Sequence, residues 1–361
     1  MTRAINFSAG PAALPLEALK AAQDELLDFE GSGISIMEHS HRGKEYARVH
    51  EETKALFHEL LNIPDTHQLL FMQGGASAQF ALVPMNLLRG RSADYIDTGT
   101  WSKKAFNEAN IVGKARIAGT GKVDGRYTRV PKQDELDLDP NAAYLHFTSN
   151  NTIMGTQFHE FPDSGDVPLI VDMSSDLLWR PIDVSKFDLI YAGAQKNIGP
   201  AGITILIGRK ELFQDSPKEL PAIFRYETVA EGDSLHNTIP VFPLYMIRNV
   251  LRWVKAQGGA PEMEKRNRTK GELLYGMIDE APDFFRSHID KDSRSFMNPV
   301  FRLPSEDLEK KFIEEAAKLR ISGIKGHRSV GGIRVSMYNA VPIEWVQTFV
   351  EFARDFHKKF G

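Results

Sequence analysis

A lysine stands between two apolar runs that have the composition of buried β-strands. Lys196 follows the run 187–192 and precedes the run 203–207. Runs rich in β-branched and aromatic residues, bounded by glycine and proline, are typical of strands in a covered sheet. An ammonium group there is costly unless it is paired, shifted in pKa or covalently bound. Lys196 is therefore a candidate nucleophile; the alternative is a surface lysine whose amine reaches water from a loop.

An aspartate ends another apolar run earlier in the chain. Asp172 closes the run 167–172, Val-Pro-Leu-Ile-Val-Asp, and the alternative is that it caps the segment that follows. An aspartate and a lysine that face one cavity from neighbouring strand ends suit pyridoxal phosphate. The lysine forms a Schiff base with the aldehyde, and the aspartate keeps the pyridinium nitrogen protonated. Together, Asp172 and Lys196 indicate pyridoxal-phosphate chemistry.

Two further segments could hold the same cofactor. Residues 74–77, Gly-Gly-Ala-Ser, join a predicted strand to a predicted helix, and a helix N-terminus with small residues binds phosphate through free N–H groups. Many such turns are purely structural. Trp101 follows another strand, where it either packs in the core or stacks on a planar ring.

The elements that position these residues alternate along the chain. Strands are predicted at 68–73, 93–97, 114–118, 143–148, 167–172, 187–192 and 203–207. Strands joined by helices or long connections form a mostly parallel sheet covered on both faces, with ligands beyond the carboxyl ends of the strands. The candidate residues all lie at such ends.

The pattern changes after about residue 242. Helices are predicted at 243–256, 261–280, 305–320 and 343–359, around strand-like stretches at 294–302 and 333–338. We therefore expect an α/β large domain over residues 15–257 and a smaller α+β domain over residues 258–361. Residues 1–14 are expected to form a segment that packs near the small domain.

Composition narrows the functional classes. The 361 residues carry a net charge of −4, which argues against a nucleic-acid surface, and no stretch is apolar enough to span a bilayer. The N-terminus lacks the apolar core of a signal peptide, so cytoplasmic residence is the default expectation. Cysteine is absent, which excludes thiolate metal sites and a cysteine nucleophile. No metal motif is present, and no metal is predicted.

Four longer segments carry a resemblance to a known family. Residues 6–11, 37–43, 194–202 and 326–334 are similar to the phosphoserine aminotransferases, which are class-V pyridoxal-phosphate enzymes with the aspartate-aminotransferase fold, fold type I. The resemblance covers essentially the whole chain. It implies that glutamate and 3-phosphohydroxypyruvate are converted to 2-oxoglutarate and O-phosphoserine, a step of serine biosynthesis.

The resemblance also implies roles for individual residues. Lys196 would form the Schiff base and shuttle the proton, and Asp172 would be the pyridinium partner. Trp101 would stack on the ring and Thr152 would bond its hydroxyl side. The phosphate ligands would be Gln195, Ala76 and Ser77, joined from the other subunit by Asn237 and Thr238, which implies a homodimer with shared active sites. Arg334 would bind the α-carboxylate, and the cluster for the substrate phosphate would be His41, Arg42, His327 and Arg328, partly from across the dimer.

One departure from the family and several alternatives stay open. Some members have Gly-Gly-Gly-Arg-Gly where residues 74–78 read Gly-Gly-Ala-Ser-Ala, so Ser77 replaces an arginine near the distal anion. Rival functions are another pyridoxal-phosphate enzyme, such as a desulfurase or a glyoxylate aminotransferase, and a non-catalytic protein that binds a phosphorylated metabolite. Lack of cysteine counts against the desulfurase. The sequence leaves open whether the longer phosphohydroxythreonine of pyridoxine biosynthesis is also a substrate.

Overall fold

Seven strands form one central sheet in the computed structural model, which describes residues 3–361. The described residues contain nine α-helices: α1 (Leu16–Asp24), α2 (Lys44–Leu61), α3 (Gly75–Leu87), α4 (Thr100–Val112), α5 (Tyr226–Glu231), α6 (Val241–Ala256), α7 (Gly259–Glu280), α8 (Glu306–Lys318) and α9 (Ile343–Phe360). In chain order the strands are β1 (Ile5–Asn6), β2 (His67–Met72), β3 (Ser92–Asp97), β4 (Lys114–Thr120), β5 (Lys122–Val123), β6 (Arg126–Tyr127), β7 (Leu145–Thr148), β8 (Asn150–Asn151), β9 (Thr156–Gln157), β10 (Leu169–Asp172), β11 (Leu189–Gly193), β12 (Thr204–Arg209), β13 (Val300–Phe301), β14 (Ile321–Ser322) and β15 (Ile333–Arg334).

The central sheet has the strand order β2-β12-β11-β10-β7-β3-β4. All seven strands predicted for it are present, and their ends lie within two residues of the prediction. Every pairing is parallel except those of β12, which runs antiparallel to both of its neighbours. Residues 194–203 are too few for the crossover that a parallel connection needs, so the chain turns back directly from β11 into β12. The predicted α/β fold with a mostly parallel sheet is confirmed.

Both faces of the sheet are buried, because alternate side chains of each strand enter different cores. Ile205 and Ile207 of β12 belong to one cluster, which α2 and α6 cover, whereas Leu206 belongs to the cluster covered by α3, α4 and α5. The near-continuous apolar runs of the sequence reflect this burial on two sides. The covered sheet is the rigid support for whatever its strand ends carry.

A second core lies among the C-terminal elements. It contains residues of α7, α8 and α9 with Phe7 and Ala13 of the N-terminal segment, and β1 pairs with β14 through Ile5 and Ile321. Helix α7 serves two cores, because Met263 near its start packs against α1 and α6 while Leu274 packs in the second core. The division into 1–14, 15–257 and 258–361 stays a prediction, and its residues 1 and 2 lie outside the described part.

Two strand predictions in the C-terminal region were too long. The stretches 294–302 and 333–338 contain only β13 and β15. The side chain of Ser295 accepts hydrogen bonds from Met297 N (3.1 Å) and Asn298 N (2.8 Å), so it turns the backbone before a ladder can form.

In the described part of the chain, no helix combines the length and apolarity that a membrane crossing requires.

The burial of β12 predicts its contribution to stability. Leu206 is 0% exposed, whereas Ile111 on α4 is 78% exposed. Leu206→Ala removes side-chain contacts and leaves a cavity, so we expect the free energy of unfolding to fall by about 2–5 kcal/mol. The matched Ile111→Ala should change it by at most about 0.5 kcal/mol. Guanidinium unfolding followed by circular dichroism would measure both; equal midpoints for the two variants would contradict the assigned core.

Candidate active site

Lys196 lies in the turn that joins β11 to β12. The turn is closed by hydrogen bonds from Gly199 N to Ala194 O (2.8 Å) and from Ala194 N to Ile203 O (3.0 Å). Outside the turn, Ala12 N donates to Gln195 O at 3.0 Å, which attaches the N-terminal segment to it. Lys196 is thereby held at the carboxyl end of β11, as the sequence predicted for a residue between two core strands.

Asp172 is the last residue of β10, which pairs directly with β11. Its side chain is 5% exposed, and its Oδ1 accepts hydrogen bonds from Ser174 N (2.9 Å) and Ser174 Oγ (2.6 Å). Burial raises the pKa of Asp172, and the positive charge of Lys196 and the bonds from Ser174 oppose that increase. The carboxylate is therefore stabilised from one side while Oδ2 is left for another donor.

Burial also lowers the pKa of the Lys196 amine, below the ordinary value of a lysine. The charge of Asp172 raises this pKa, whereas the charge of Arg334 lowers it further. A lysine with a lowered pKa is more often neutral near pH 7, which is the form that attacks a carbonyl carbon.

A cavity of about 610 Å³ contains these two residues. Its walls come from the N-terminal segment, the β2–α3 turn, the strand ends and the loop before β15. The lining residues include Ala9, Gly10, Pro11, Gly74, Gly75, Ala76, Ser77, Phe80, Trp101, Thr152, Asp172, Ser174, Gln195, Lys196, His327 and Arg334. The structure thus brings together nine of the residues that the sequence proposed for the site: Asp172, Lys196, Ala76, Ser77, Trp101, Thr152, Gln195, His327 and Arg334.

Trp101 offers a flat aromatic surface in this cavity. Its Nε1 donates a hydrogen bond to Thr152 Oγ1 at 2.9 Å, which fixes the ring, and Lys196 Nζ lies 5.2 Å from the ring centroid. A planar heteroaromatic ring can stack on the indole while Asp172 meets its edge. The geometry fits the pyridine ring of pyridoxal phosphate.

The start of α3 fits the phosphate of the same cofactor. No side chain caps this helix, so its first N–H groups need another partner. A Cβ built on Gly193 would lie 2.7 Å from Gln195 Oε1 and 3.4 Å from Ala76 N, so the Gln195 side chain and the helix N-terminus converge there. Converging N–H donors at a helix N-terminus bind phosphate. The residues present therefore fit pyridoxal phosphate.

The opposite wall supplies cations. Arg334 donates from Nη1 to Thr152 O at 3.1 Å, whereas its buried Nε has no partner among the described residues. An unpartnered guanidinium N–H in a cavity suits a carboxylate. His327 is half-buried in the same wall; burial lowers its pKa, and the charges of Arg334 and Arg328 lower it further.

Five of the predicted ligands do not line this cavity in the single chain. Arg328 is exposed on the loop beside His327. His41 and Thr238 line a separate surface depression, and Arg42 is exposed beside it. Asn237 donates to Gln73 Oε1 at 3.4 Å, next to the depression. The sequence expected several of these residues to act from a second subunit, and that expectation stays a prediction.

Sequence reasoning missed the residues that support Lys196 from behind. Asn197 donates from Nδ2 to Leu177 O (2.6 Å) and accepts from Asn339 N (2.9 Å), while Asn339 Nδ2 donates to Leu178 O (2.9 Å). No sequence signal links Asn339 to Asn197. Ser174 was also missed, although a serine two residues after an aspartate is the spacing of an Asx turn.

Comparison with known proteins agrees with this geometry. Residues 4–349 match the sequence profile of the family described as aminotransferase class-V, and the chain belongs to that family. Relatives that share about half of its sequence are phosphoserine aminotransferases. That of Halalkalibacterium halodurans is 51% identical over 359 residues, 99% of both chains. The structure of phosphoserine aminotransferase from Bacillus circulans subsp. alkalophilus superimposes with a TM-score of 0.97 at 50% identity, over 99% of each chain. A phosphoserine aminotransferase from Trichomonas vaginalis, solved with pyridoxal phosphate bound, gives 0.93 at 37% identity, over 98% of this chain and all of that one.

The charges around Lys196 predict opposite effects of two substitutions on its pKa. In the cofactor-free protein, Asp172→Asn removes a charge that raises this pKa, so the pH of half-maximal labelling by an amine reagent should fall. Arg334→Gln removes a charge that lowers it, so that pH should rise. Mass spectrometry of the Lys196 peptide across pH would measure both, with exposed Arg354→Gln as the control. Shifts in the same direction would refute the arrangement of charges.

Proposed function

We propose that the protein transfers the amino group of glutamate to 3-phosphohydroxypyruvate, giving O-phosphoserine and 2-oxoglutarate, as a step of serine biosynthesis in the cytoplasm. The observation that carries the proposal is one cavity that holds the amine of Lys196, the buried carboxylate of Asp172 and the unpartnered Nε of Arg334. Relatives that share half of the sequence over its full length are phosphoserine aminotransferases, which supports the phosphorylated substrate.

Pyridoxal phosphate is the cofactor of this class, and when bound it supplies an electrophilic carbonyl carbon and an electron-withdrawing ring. Asp172 would hold the proton on the ring nitrogen, and Trp101 would cover one face of the ring. Thr152 would bond the ring hydroxyl side. Gln195 and the backbone of Ala76 and Ser77 would bind the phosphate, at the place where the first amides of α3 converge.

Lys196 would act twice. Its amine would hold the cofactor at rest, and once the substrate amine took that place, Nζ would be free to take the proton from the substrate Cα and to deliver it to the carbonyl carbon of the cofactor. A pKa lowered by burial keeps a fraction of this amine neutral at physiological pH, so that it can accept the proton. The hydrogen bonds of Asn197 behind it hold the turn while the side chain moves.

The substrate anions need two groups of cations. Arg334, whose planar fork matches a carboxylate, would bind the α-carboxylate shared by both substrates. His327 and Arg328 would bind the distal phosphate or carboxylate, with His41 and Arg42 from a second subunit. Since Ser77 carries no charge, this distal group must be held by the His-Arg pairs and not by the β2–α3 turn.

A homodimer with shared active sites is part of the proposal. His41 and Thr238 lie together in a depression apart from the Lys196 cavity, which suits residues that serve a neighbouring subunit. The segment before His41 exposes apolar side chains, and exposed apolar patches mark association surfaces. The exposed side chains are Leu26, Leu27, Ile34 and Met37.

Loss of the Lys196 amine tests the reaction. Lys196→Ala should purify folded, without the covalent link to the cofactor that borohydride reduction traps, and should show no steady turnover of phosphoserine with 2-oxoglutarate, because no base remains at Cα. Lys114 is exposed, and Lys114→Ala is the matched control, which should keep both the covalent link to the cofactor and the turnover. Normal turnover by Lys196→Ala would refute the function, and a colourless wild-type protein that takes up no pyridoxal phosphate would indicate a binding protein.

Mixed dimers test the sharing of sites. Chains with Lys196→Ala and chains with Arg42→Ala are coexpressed with different tags, and the mixed dimers are assayed. If Arg42 acts across the interface, each mixed dimer has one intact site of two, so the purified mixed dimers should recover about half of wild-type activity. If Arg42 acts within its own chain, the mixed dimers recover none. Each variant expressed alone gives the baseline.

A further inference from the structure

A second, larger cavity of about 730 Å³ lies beside the loop that carries His327. We call it the basic groove, defined by the side chains of Arg126, Arg286, His288 and Arg302. Its other lining residues include Tyr127, Met154, Ser287, Ser305, Glu306 and Val330. It contains neither Lys196 nor Asp172, and none of the roles proposed above uses its four basic residues.

Two of the arginines face each other directly. Arg286 and Arg302 exchange backbone hydrogen bonds across an antiparallel bridge, at 2.8 Å from Arg286 N to Arg302 O and 2.9 Å in return. Residues opposite in such a bridge project to the same side, and like charges there destabilise the pair. His288 is two residues after Arg286, and Arg126 lies close to it. Burial lowers the pKa of His288, and the charges of Arg126 and Arg302 lower it further.

The protein neutralises only one of these cations. Arg302 pairs through Nε with Glu309 Oε1 at 2.5 Å, and Glu309 is 6% exposed. Arg286 has only the carbonyl of Asp283, 2.8 Å from its Nε. The Arg126 guanidinium has no hydrogen bond or ion pair within the described part of the chain. Arg126 and Arg286 are both exposed and therefore solvated, and they line one concave surface with N–H groups that are left to bind an anion.

The basic groove adjoins the active site through the loop 326–332. Arg302 Nη1 donates to Val330 O at 2.9 Å, and its partner Glu309 accepts from Gly332 N at 3.1 Å. A Cβ on Gly332 would lie 2.5 Å from Arg302 Cδ, so the backbone of the loop 326–332 packs closely against the Arg302 side chain. A narrow cavity of about 30 Å³ is lined on one side by His288 and Arg302 and on the other by His327 and Arg334.

We propose that the basic groove is a binding site for a small phosphate-bearing anion, separate from the Lys196 cavity. Arginine forks match phosphate oxygens in pairs, and a dianion offsets the two charges that Arg126 and Arg286 leave unpaired. The anion is either free inorganic phosphate or a phosphorylated small acid. Binding there orders the loop 326–332 through Arg302 and Val330. The site does not depend on the reaction proposed above.

Calorimetric titration of the holoenzyme with 3-phosphoglycerate, which has neither an amine nor a keto group to react, tests the site. Wild type should show one class of site in the groove, and the proposed function adds a second class in the active site. The double variant Arg126→Gln/Arg286→Gln should weaken one class by about tenfold or more, because two charge-assisted contacts are lost. The control Arg89→Gln/Arg354→Gln changes the net charge equally at exposed positions and should keep both classes.

Two further measurements separate a loss of binding in the groove from damage to the active site. The response of the cofactor absorption to phosphoserine should be the same in wild type and the groove variant, which shows that the active site is intact whether or not the proposed reaction is correct. Hydrogen exchange in residues 326–332 should slow on ligand binding more in wild type than in the variant. Tighter binding of 3-phosphoglycerate than of inorganic phosphate identifies a phosphorylated acid as the ligand, and equal binding identifies phosphate. Binding of 3-phosphoglycerate that is unchanged in the groove variant, whether wild type shows one class of site or two, would overturn the proposal.

Discussion

The structure depends on one costly arrangement, a lysine and an aspartate buried at adjacent strand ends. Neither Lys196 nor Asp172 would be stable alone in this position, because an isolated charge loses its hydration without compensation. Each offsets part of the other's desolvation, as the opposing effects on their pKa values indicate. In the proposed function this cost has a use, because an amine of lowered pKa and a carboxylate available to a ring nitrogen are the two groups that amino transfer with pyridoxal phosphate requires.

The surroundings hold this pair in place from three directions. The covered sheet fixes the strand ends, Ser174 fixes the Asp172 carboxylate, and Asn197 fixes the turn behind Lys196. Asn339 links that turn to the segment 334–339, which begins with Arg334 at the end of β15. The cation that lowers the pKa of Lys196 and the amide that holds its turn therefore come from the same segment. Displacing that segment would alter both the position and the pKa of the amine.

Much of the fold could be predicted because its strands are buried on two faces and therefore read as continuous apolar runs. The strand ends then indicated the chemistry, since Asp172 and Lys196 follow such runs directly. Helix α5 gave no comparable signal, being six residues long. The link from Asn197 to Asn339 spans 142 positions, and no local pattern encodes it. His41 and Thr238 could be recognised only by family resemblance, because they do not reach the cavity in one chain.

The position of the N-terminal segment has a consequence for biosynthesis. Ala9, Gly10 and Pro11 form part of the cavity wall, yet the strand just before them, β1, pairs only with β14 at Ile321–Ser322. Domains fold largely as they emerge from the ribosome. Here residues 5–11 must wait until Ile321 and Ser322 have been synthesised before they can dock. The central sheet can form earlier, because its last strand ends at Arg209, so the reactive lysine is enclosed only after the sheet that carries it.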